Sequence, residues 1–595
     1  MTTAAEPGVR PRFLPRSEAP TALLAGARAA YVFPGAPGRI LGPARLVETR
    51  GRLPRPADLG PAESSPAWAV SAVDLPRVSI DGRSTLNAAA VRATVDAVLQ
   101  AGATLAGPLL SEAVAVDLFV HELARQEADI LILTQPIAGE KSRILTQALE
   151  RQALGPRVLS IVYNGPPGYD SPDLRTLKTC TFTTVESIVQ GGRSNPGPTL
   201  EALGALVRDR LAARLARAGY PGVPCVSQGM AAARAAARLE RNLSELLEPL
   251  GPDRGRTRTS SGVCLVVADP DRVEVFARSG GRLSVASAAF VGTASTRLLG
   301  NGRAGSRGTT AQGWLPDWGA LARRLPLDLD LSDLANLIGT LLVEPWTLAR
   351  GLGEACLGAA LLEELLSEVT AGWTAADREA GGPAQARLFI AAGFGFDRLG
   401  SAGLAAHALV KGFQPGGVSV VAVDRGGALL VEAGAPDEDP PPGEAAGPPP
   451  GRPGTAGPRP GAVTARPEAV AVIVSPLKAV HDWRRATTDP WAIVTVEGED
   501  GASTARRLVP GTVTSLPLAP GRRAVLTVEP CHARLDFGAG PGRTWRGLVT
   551  GGMAGIILDG RGRPLTSPDS PSTRVAKERD VLAAFGALGK GDLGP

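Results

Sequence analysis

The sequence predicts an α/β protein, with parallel sheets covered by helices and a β-rich carboxyl-terminal part. Three stretches carry that prediction. "ADILILTQP", "SRILTQALERQAL" and "RVLSIVYNG" read as strand, helix and strand, and a β-α-β unit implies a parallel sheet with helical cover. A second unit opens with two apolar runs, "GVCLVVAD" and "RVEVFARSGG". After a proline-rich break, alternating runs such as "WAIVTVEGEDG" are cut by glycine and proline turns, the pattern of short strands.

Residues 1 to about 90 are rich in Pro, Gly and Arg with weak periodicity, so this part is read as poorly specified, with short strands at "RAAYVFPG" and "AWAVSAVDL". "STLNAAAVRATVDAVLQAGA" begins clear helical patterning. In "TLEALGALVRDRLAARLARAGY", Leu203, Leu206, Val207, Leu211 and Leu215 recur at helical spacing. "AAARAAARLERNLSELLEPL" reads as a further helix, closed by Pro249. A long helical region runs through "DLANLIGTLLVEPWTLARGLGEACLGAALLEELLSEV", and "ARLFIAAGFGFDRLG" is a strand entering a glycine turn. "VSVVAVDRGGALLVEAGA" reads as two strands across an Arg-Gly-Gly turn. The expected division is 1–95, a divergent amino-terminal segment; 96–250, a first α/β lobe; 251–433, a second; 434–468, a linker; and 469–595, a β-rich domain. The linker, "GAPDEDPPPGEAAGPPPGRPGTAGPRPGAVTARPE", cannot bury a core.

Composition narrows the function. The chain has 595 residues, 44% of them hydrophobic, and a net charge of +5. Of 63 basic residues only six are lysines, and the arginines are scattered rather than gathered on one face, which argues against a nucleic-acid footprint. Cys180, Cys225, Cys264, Cys356 and Cys531 form no C-x-x-C pair, so neither a zinc ribbon nor a disulfide framework is expected. The amino terminus lacks a signal-peptide apolar core, and no uncharged run reaches the length of a membrane helix; a cytoplasmic protein is expected. His121, His407, His481 and His532 are not spaced as metal pairs, so no metal site is expected.

Candidate chemistry lies in glycine turns. "IAAGFGFDRLG" sets Gly393, Gly395 and Asp397 just past a buried strand. Two readings stand there: a tight turn, or backbone N–H groups that cradle phosphate. "QPIAGEKS" lacks P-loop spacing, so Lys141 and Ser142 are read as the start of a helix. Cys264 is read as a small core residue. Adjacent Cys531 and His532 would point to opposite faces of a strand, which disfavours direct pairing. In "GGMAGIILDGRGRPL" (551–565), Gly551 and Gly552 permit close backbone approach, Gly560 is expected to take a positive φ, and Arg561 and Arg563 emerge from a turn fixed by Pro564. They serve either as an outward interaction loop or as pins inside the β-rich part.

The carboxyl-terminal run "LVPGTVTSLPLAPGRRAVLTVEP...LDFGAGPGRTWRGLVTGGMAGIILDGRGRPL" resembles the end of the glutamate mutase MutL family, with "LARLARAGYPGV", "LLVEPWTL", "LFIAAGFG" and "GFQPGGVSVVAVDRGGALLVEAGA" in comparable order upstream. The resemblance covers roughly residues 100 to 595. It implies a two-lobed actin-like (ribonuclease H-like) α/β body that clasps ATP with Mg²⁺, and an accessory role toward a coenzyme-B12-dependent mutase subunit. It also implies that Gly393 and Gly395, with Asp397 nearby, line the nucleotide site.

The chain departs from that family at both phosphate loops. No Asp-Phe/Ile-Gly-Ser-Thr type sequence opens it, and "VVADPDRVEV" replaces the glycine-rich loop of the second lobe. With Glu274–Val275 as the counterpart of the final Asp-Val, the first aspartate of that loop falls on Val267. Asp269 and Asp271 would repel phosphate without an intervening cation. The alternative is therefore a non-catalytic scaffold of the same fold that has lost ATP binding; a working sugar or acetate kinase fits least.

Overall fold

The computed structural model describes the chain in stretches between residues 20 and 588, among them 88–110, 140–151, 180–190, 193–243, 262–269, 272–289, 348–373, 386–435, 466–477, 489–563 and 571–588. The linker core 436–465, the loop residues Pro270 and Asp271, His481, and most of "LLVEPWTL" and "QPIAGEKS" lie outside the described residues.

The amino-terminal segment, read as poorly specified, supplies β1 (Pro20–Ala25), β2 (Ala29–Ala36), β3 (Arg39–Ile40), β4 (Arg45–Glu48) and β5 (Trp68–Ser71). The strands expected at "RAAYVFPG" and "AWAVSAVDL" are β2 and β5; the others are short and interrupted by Gly, Pro and Arg, so periodicity has too few residues in which to show itself. β1 pairs antiparallel with β2 and parallel with β5.

An inserted unit follows. It contains β6 (Arg77–Gly82), α1 (Ala88–Gln100), β7 (Thr104–Leu110), β8 (Ile130–Leu133), α2 (Glu140–Arg151), β9 (Ser160–Asn164) and β10 (Thr181–Val185). A small pair, β11 (Val189–Gln190) and β12 (Arg193–Ser194), closes it. Its five main strands are all parallel, in the order β10-β9-β8-β6-β7. The expected β-α-β unit is β8-α2-β9, and Lys141 and Ser142 do lie in a helix. All four residues of β8 are buried, as a strand covered on both faces requires.

Helix α3 (Gly197–Ala218) buries Leu203, Val207, Leu211 and Leu215 of the predicted stripe, while Leu206 is half-buried. It stops at Gly219, whose left-handed φ of 103° lets its N–H reach the last turn. β13 (Cys225–Ser227) returns to the first sheet beside β5, in parallel. Ser227 then caps α4 (Gln228–Asn242) by accepting the Met230 N–H at 3.2 Å. The helix ends at Asn242, seven residues before Pro249. The "LEP" expected to finish it is strand β14 (Leu247–Pro249), antiparallel to a distant carboxyl-terminal strand.

The second unit repeats the first sheet's wiring. β15 (Gly262–Ala268), β16 (Arg272–Ser279) and β17 (Arg282–Ala289) form an antiparallel meander. α5 (Trp318–Arg324) and α6 (Leu352–Gly372) precede β18 (Ala386–Ala392), which pairs parallel with β15. α7 (Ala402–Phe413) packs on α6, and β19 (Gly417–Asp424) joins β18 in parallel. The orders β13-β5-β1-β2 and β19-β18-β15-β16 match strand for strand and sense for sense. α4 leaves the end of β13 as α8 (Ala428–Gly434) leaves the end of β19, and the two helices pack together.

Two corrections concern the carboxyl-terminal half. "ALLVEAG", expected as a strand, is α8: Gly426 and Gly427 take φ of 70° and 72° and turn the chain, and Asp424 accepts the Leu429 N–H. A seven-residue run buried on most sides has no period that separates strand from helix. The part expected to be a β-rich domain is not one separate sheet. β20 (Glu468–Ser475) pairs antiparallel with β19. β26 (Ile556–Asp559) and β23 (Val513–Leu516) extend that sheet to eight strands. Only β21 (Ala492–Gly498), β22 (Ser503–Leu508), β24 (Arg523–Pro530) and β25 (Trp545–Thr550) form a second sheet, completed by β14. α9 (Pro571–Ala584) closes the described chain.

A protease site engineered into 436–465 should therefore yield two fragments that co-elute on native gel filtration, because β19 and β20 remain paired. Separate elution of the carboxyl-terminal fragment would show an independent domain.

Candidate functional site

β18 and β15 are adjacent and parallel, so the turns that leave them lie side by side. Gly393 follows β18 with φ 91° and ψ 167°, a conformation open to glycine. A Cβ on Gly393 would stand 2.6 Å from the Ala268 carbonyl oxygen. One on Gly395 would stand 2.8 Å from the Ala268 Cβ and 3.0 Å from the Asp269 carbonyl oxygen. Both glycines thus have a packing reason: they let this turn lie against the β15–β16 turn. A valine at 395 would disturb that contact and is therefore not fold-neutral.

Between the glycines, Phe394 is buried with Leu24, Trp68, Val70, Val226, Ala231 and Val431. These residues come from β1, β5, β13, α4 and α8, so Phe394 spans from the second unit into the first. The seam has polar ties as well: the Trp68 indole N–H donates to the Val431 carbonyl at 3.0 Å, and Arg238 donates to that of Glu432 at 3.2 Å.

The carboxylates at this end are engaged by protein groups. Asp397 accepts the Gly426 N–H at 3.1 Å. Asp269 pairs with Arg272 at 3.3 Å, and Glu274 with the same arginine at 3.5 Å. The local repulsion expected of Asp269 toward phosphate is therefore partly neutralised. Asp424, at the end of β19, is buried and accepts the Leu429 N–H with both oxygens at 3.1 Å. Burial pushes its carboxyl up to about 7; the Leu429 and Leu430 N–H groups oppose the rise, and the charges of Asp397 and Glu432 add to it. The sequence reading missed Asp424, whose only signal was an Asp ahead of two glycines.

The arginines of the 551–565 stretch do not face outward. Asp559 is buried at the end of β26, and Arg561 grips it in a fork, Nε to Oδ1 at 2.9 Å and Nη2 to Oδ2 at 2.8 Å. Arg563 bonds Asp559 at 3.0 Å and the Pro415 carbonyl at 3.2 Å. Burial alone would raise the Asp559 carboxyl, but the two guanidiniums outweigh it and hold it well below the usual carboxylate range. The outward-loop expectation is thus corrected: this turn is pinned inside. Gly551 and Gly552 do pack on backbone, at 2.3 Å from Ala519 and 2.4 Å from Val470 for an added Cβ. The positive φ values fall on Gly555 and Gly562 rather than on Gly560, which is pressed against the Val509 carbonyl instead.

His407 lies buried on α7 between Glu363 and Glu578, 3.4 Å from each, and Lys411 bridges the same two carboxylates at 3.2 and 3.1 Å. Cys264 is fully buried in β15, and burial raises its thiol, as expected of a core residue. Among the described residues, no helix is long and apolar enough to cross a membrane.

No family model matches the sequence, and no curated protein matches it at a significant level. Among solved structures, the chain is similar to a nucleotide-free structure of acetone carboxylase, from a study of ATP-dependent acetone carboxylation, at 9% identity over 70% of each chain with a TM-score of 0.28. It is also similar to a chain of the PilM–PilN type IV pilus biogenesis complex, at 14% identity over 71% of this chain and 96% of that one, with a TM-score of 0.22. Both superpositions are loose.

Two outcomes test the electrostatics. A carboxyl raised in the folded state contributes its full stability below the unfolded value, and that contribution is lost as pH rises through about 7. Wild-type melting temperature should thus fall between pH 5 and pH 8 relative to Asp424→Asn, by an amount equivalent to at most roughly 3 kcal/mol; parallel melting curves would refute it. Removing one partner of a buried ion pair strands the other. Chemical denaturation of Asp559→Ala should therefore show a loss of about 3 kcal/mol, and Arg563→Ala should lose more than Arg561→Ala.

Proposed function

We propose that this chain is a two-lobed, actin-like (ribonuclease H-like) scaffold that keeps the body of an ATP-clasping fold without turning ATP over. In this reading it acts as an accessory protein of the glutamate mutase MutL kind, and its partner is a coenzyme-B12-dependent mutase subunit. Two matched sheets, each leading into a helix that packs on its counterpart, support the two-lobed body. The sequence resemblance is what supports the partner.

One observation carries the loss of turnover: Phe394 fills the space between the lobes at the turn where Gly393 and Gly395 would have to meet a nucleotide. A phosphate cradle needs exposed N–H groups and a backbone free of side-chain cover. Here the glycines pack on Ala268 and Asp269, and the ring of Phe394 packs against Leu24, Trp68 and Val226 of the other unit. ATP with Mg²⁺ does not fit the residues that line this turn, and no catalytic step is assigned to it.

Isothermal titration with ATP, with and without Mg²⁺, should show no affinity tighter than about 1 mM, and phosphate release should stay at background. Tight binding with turnover would overturn the scaffold reading and restore the ATPase one.

A further inference from the structure

A cavity of about 1120 Å³ lies under α9, between that helix, the α5–α7 layer and the turn leaving β26. It is separate from the seam between the lobes. Its volume is at the upper end of small-molecule sites. Five cationic side chains line it, Arg323, Arg324, Lys411, Arg561 and Lys577, against two carboxylates, Glu578 and Asp580.

The cations fall into two layers. In the inner layer, Arg324 pairs with Glu364 at 2.6 Å, Lys411 bridges Glu363 and Glu578, and Arg561 holds Asp559. These groups are fixed by partners from other elements, so the wall is preorganised. In the outer layer, Arg323 on α5 and Lys577 on α9 are exposed, and among the described residues no ion pair engages either. Trp491 forms part of the wall and is 4% exposed.

We propose that this cavity binds a small, multiply charged oxyanion, a molecule bearing phosphate or carboxylate groups. Arg323 and Lys577 meet its charge at the mouth. Exposed cations facing a partly desolvated cavity attract anions far more strongly than the same groups on an open surface. A bound anion would tie α9 to α5 and to the β26 turn. The assignment does not depend on the state of the inter-lobe turn.

Titration calorimetry on the full chain with inorganic pyrophosphate and with citrate, at constant ionic strength set by KCl, tests this. At least one probe should bind saturably at one site, and the tighter of the two tells phosphate from carboxylate recognition. The Arg323→Glu/Lys577→Glu variant changes only exposed side chains; it should melt as the wild type does and lose at least about tenfold in affinity. If neither probe saturates below about 10 mM, or if the charge-reversed protein binds as tightly as the wild type, the assignment fails.

Discussion

The architecture depends on one apolar seam, where α8 and the Phe394 turn meet the first sheet. Leu24, Trp68, Val70 and Val226 present one face of that sheet, and Val431 and Phe394 cover it. Gly434 lets α8 approach until an added Cβ would stand 2.3 Å from Val70, and Gly427 does the same against Leu24, also at 2.3 Å. Alanines on α4 allow it to lie against α8 and the β15–β16 ribbon without bulky spacers. Close backbone approach of this kind leaves little compliance, because packed interiors are bistable rather than continuously deformable. The Trp68–Val431 hydrogen bond satisfies an indole donor that burial would otherwise strand. An enzyme that opens and closes on a nucleotide needs a seam it can break each cycle; a scaffold gains from one it does not break.

The same glycine has two uses that sequence does not separate. A glycine after a buried strand permits phosphate contact, and it equally permits contact with a neighbouring turn. Gly393 and Gly395 show the second use, and their neighbour Phe394 is the residue that distinguishes the two. A ring between two cradle glycines would obstruct a nucleotide, whereas a ring that spans into the other sheet unit has a structural role.

Legibility followed the length and cover of each element. The β8-α2-β9 unit, the α3 stripe and the wholly buried β15 were readable because their apolar pattern is long and unbroken. β2 and β5 were readable as short strands, but β1, β3 and β4 were not, since each is brief and broken by Gly, Pro or Arg. α8 was misread because burial on most sides erases periodicity, and β14 because a three-residue strand pairs with β25 some 300 residues away, Leu247 with Val549. Of the candidate site, the glycine turn was legible as a turn, but its contact with Ala268 is tertiary. The burial of Arg561 and Arg563 was hidden for a related reason: arginine spacing says nothing about where Asp559 lies. The one local hint was the i, i+4 relation of Asp559 to Arg563.

Two buried carboxylates in this chain are handled in opposite ways, and the contrast bears on what each region is for. Asp559 has two guanidiniums within 3.0 Å, so it stays ionised and cross-links β26, its turn and the α7–β19 loop at Pro415. A charge so paired is expensive to disturb and suits a region that must hold its shape, here the floor of the polar cavity under α9. Asp424 has only backbone N–H groups beside it, and Asp397 and Glu432 add like charge, so it is the carboxylate that accepts a proton near neutrality. It sits at the root of α8, the helix that makes the seam. Ionising it places an unpaired charge where the two sheet units join, so the joint loosens as pH rises while the cavity floor is indifferent to it. The chain thus combines a rigid carboxyl-terminal anchor with a seam whose strength depends on a single proton.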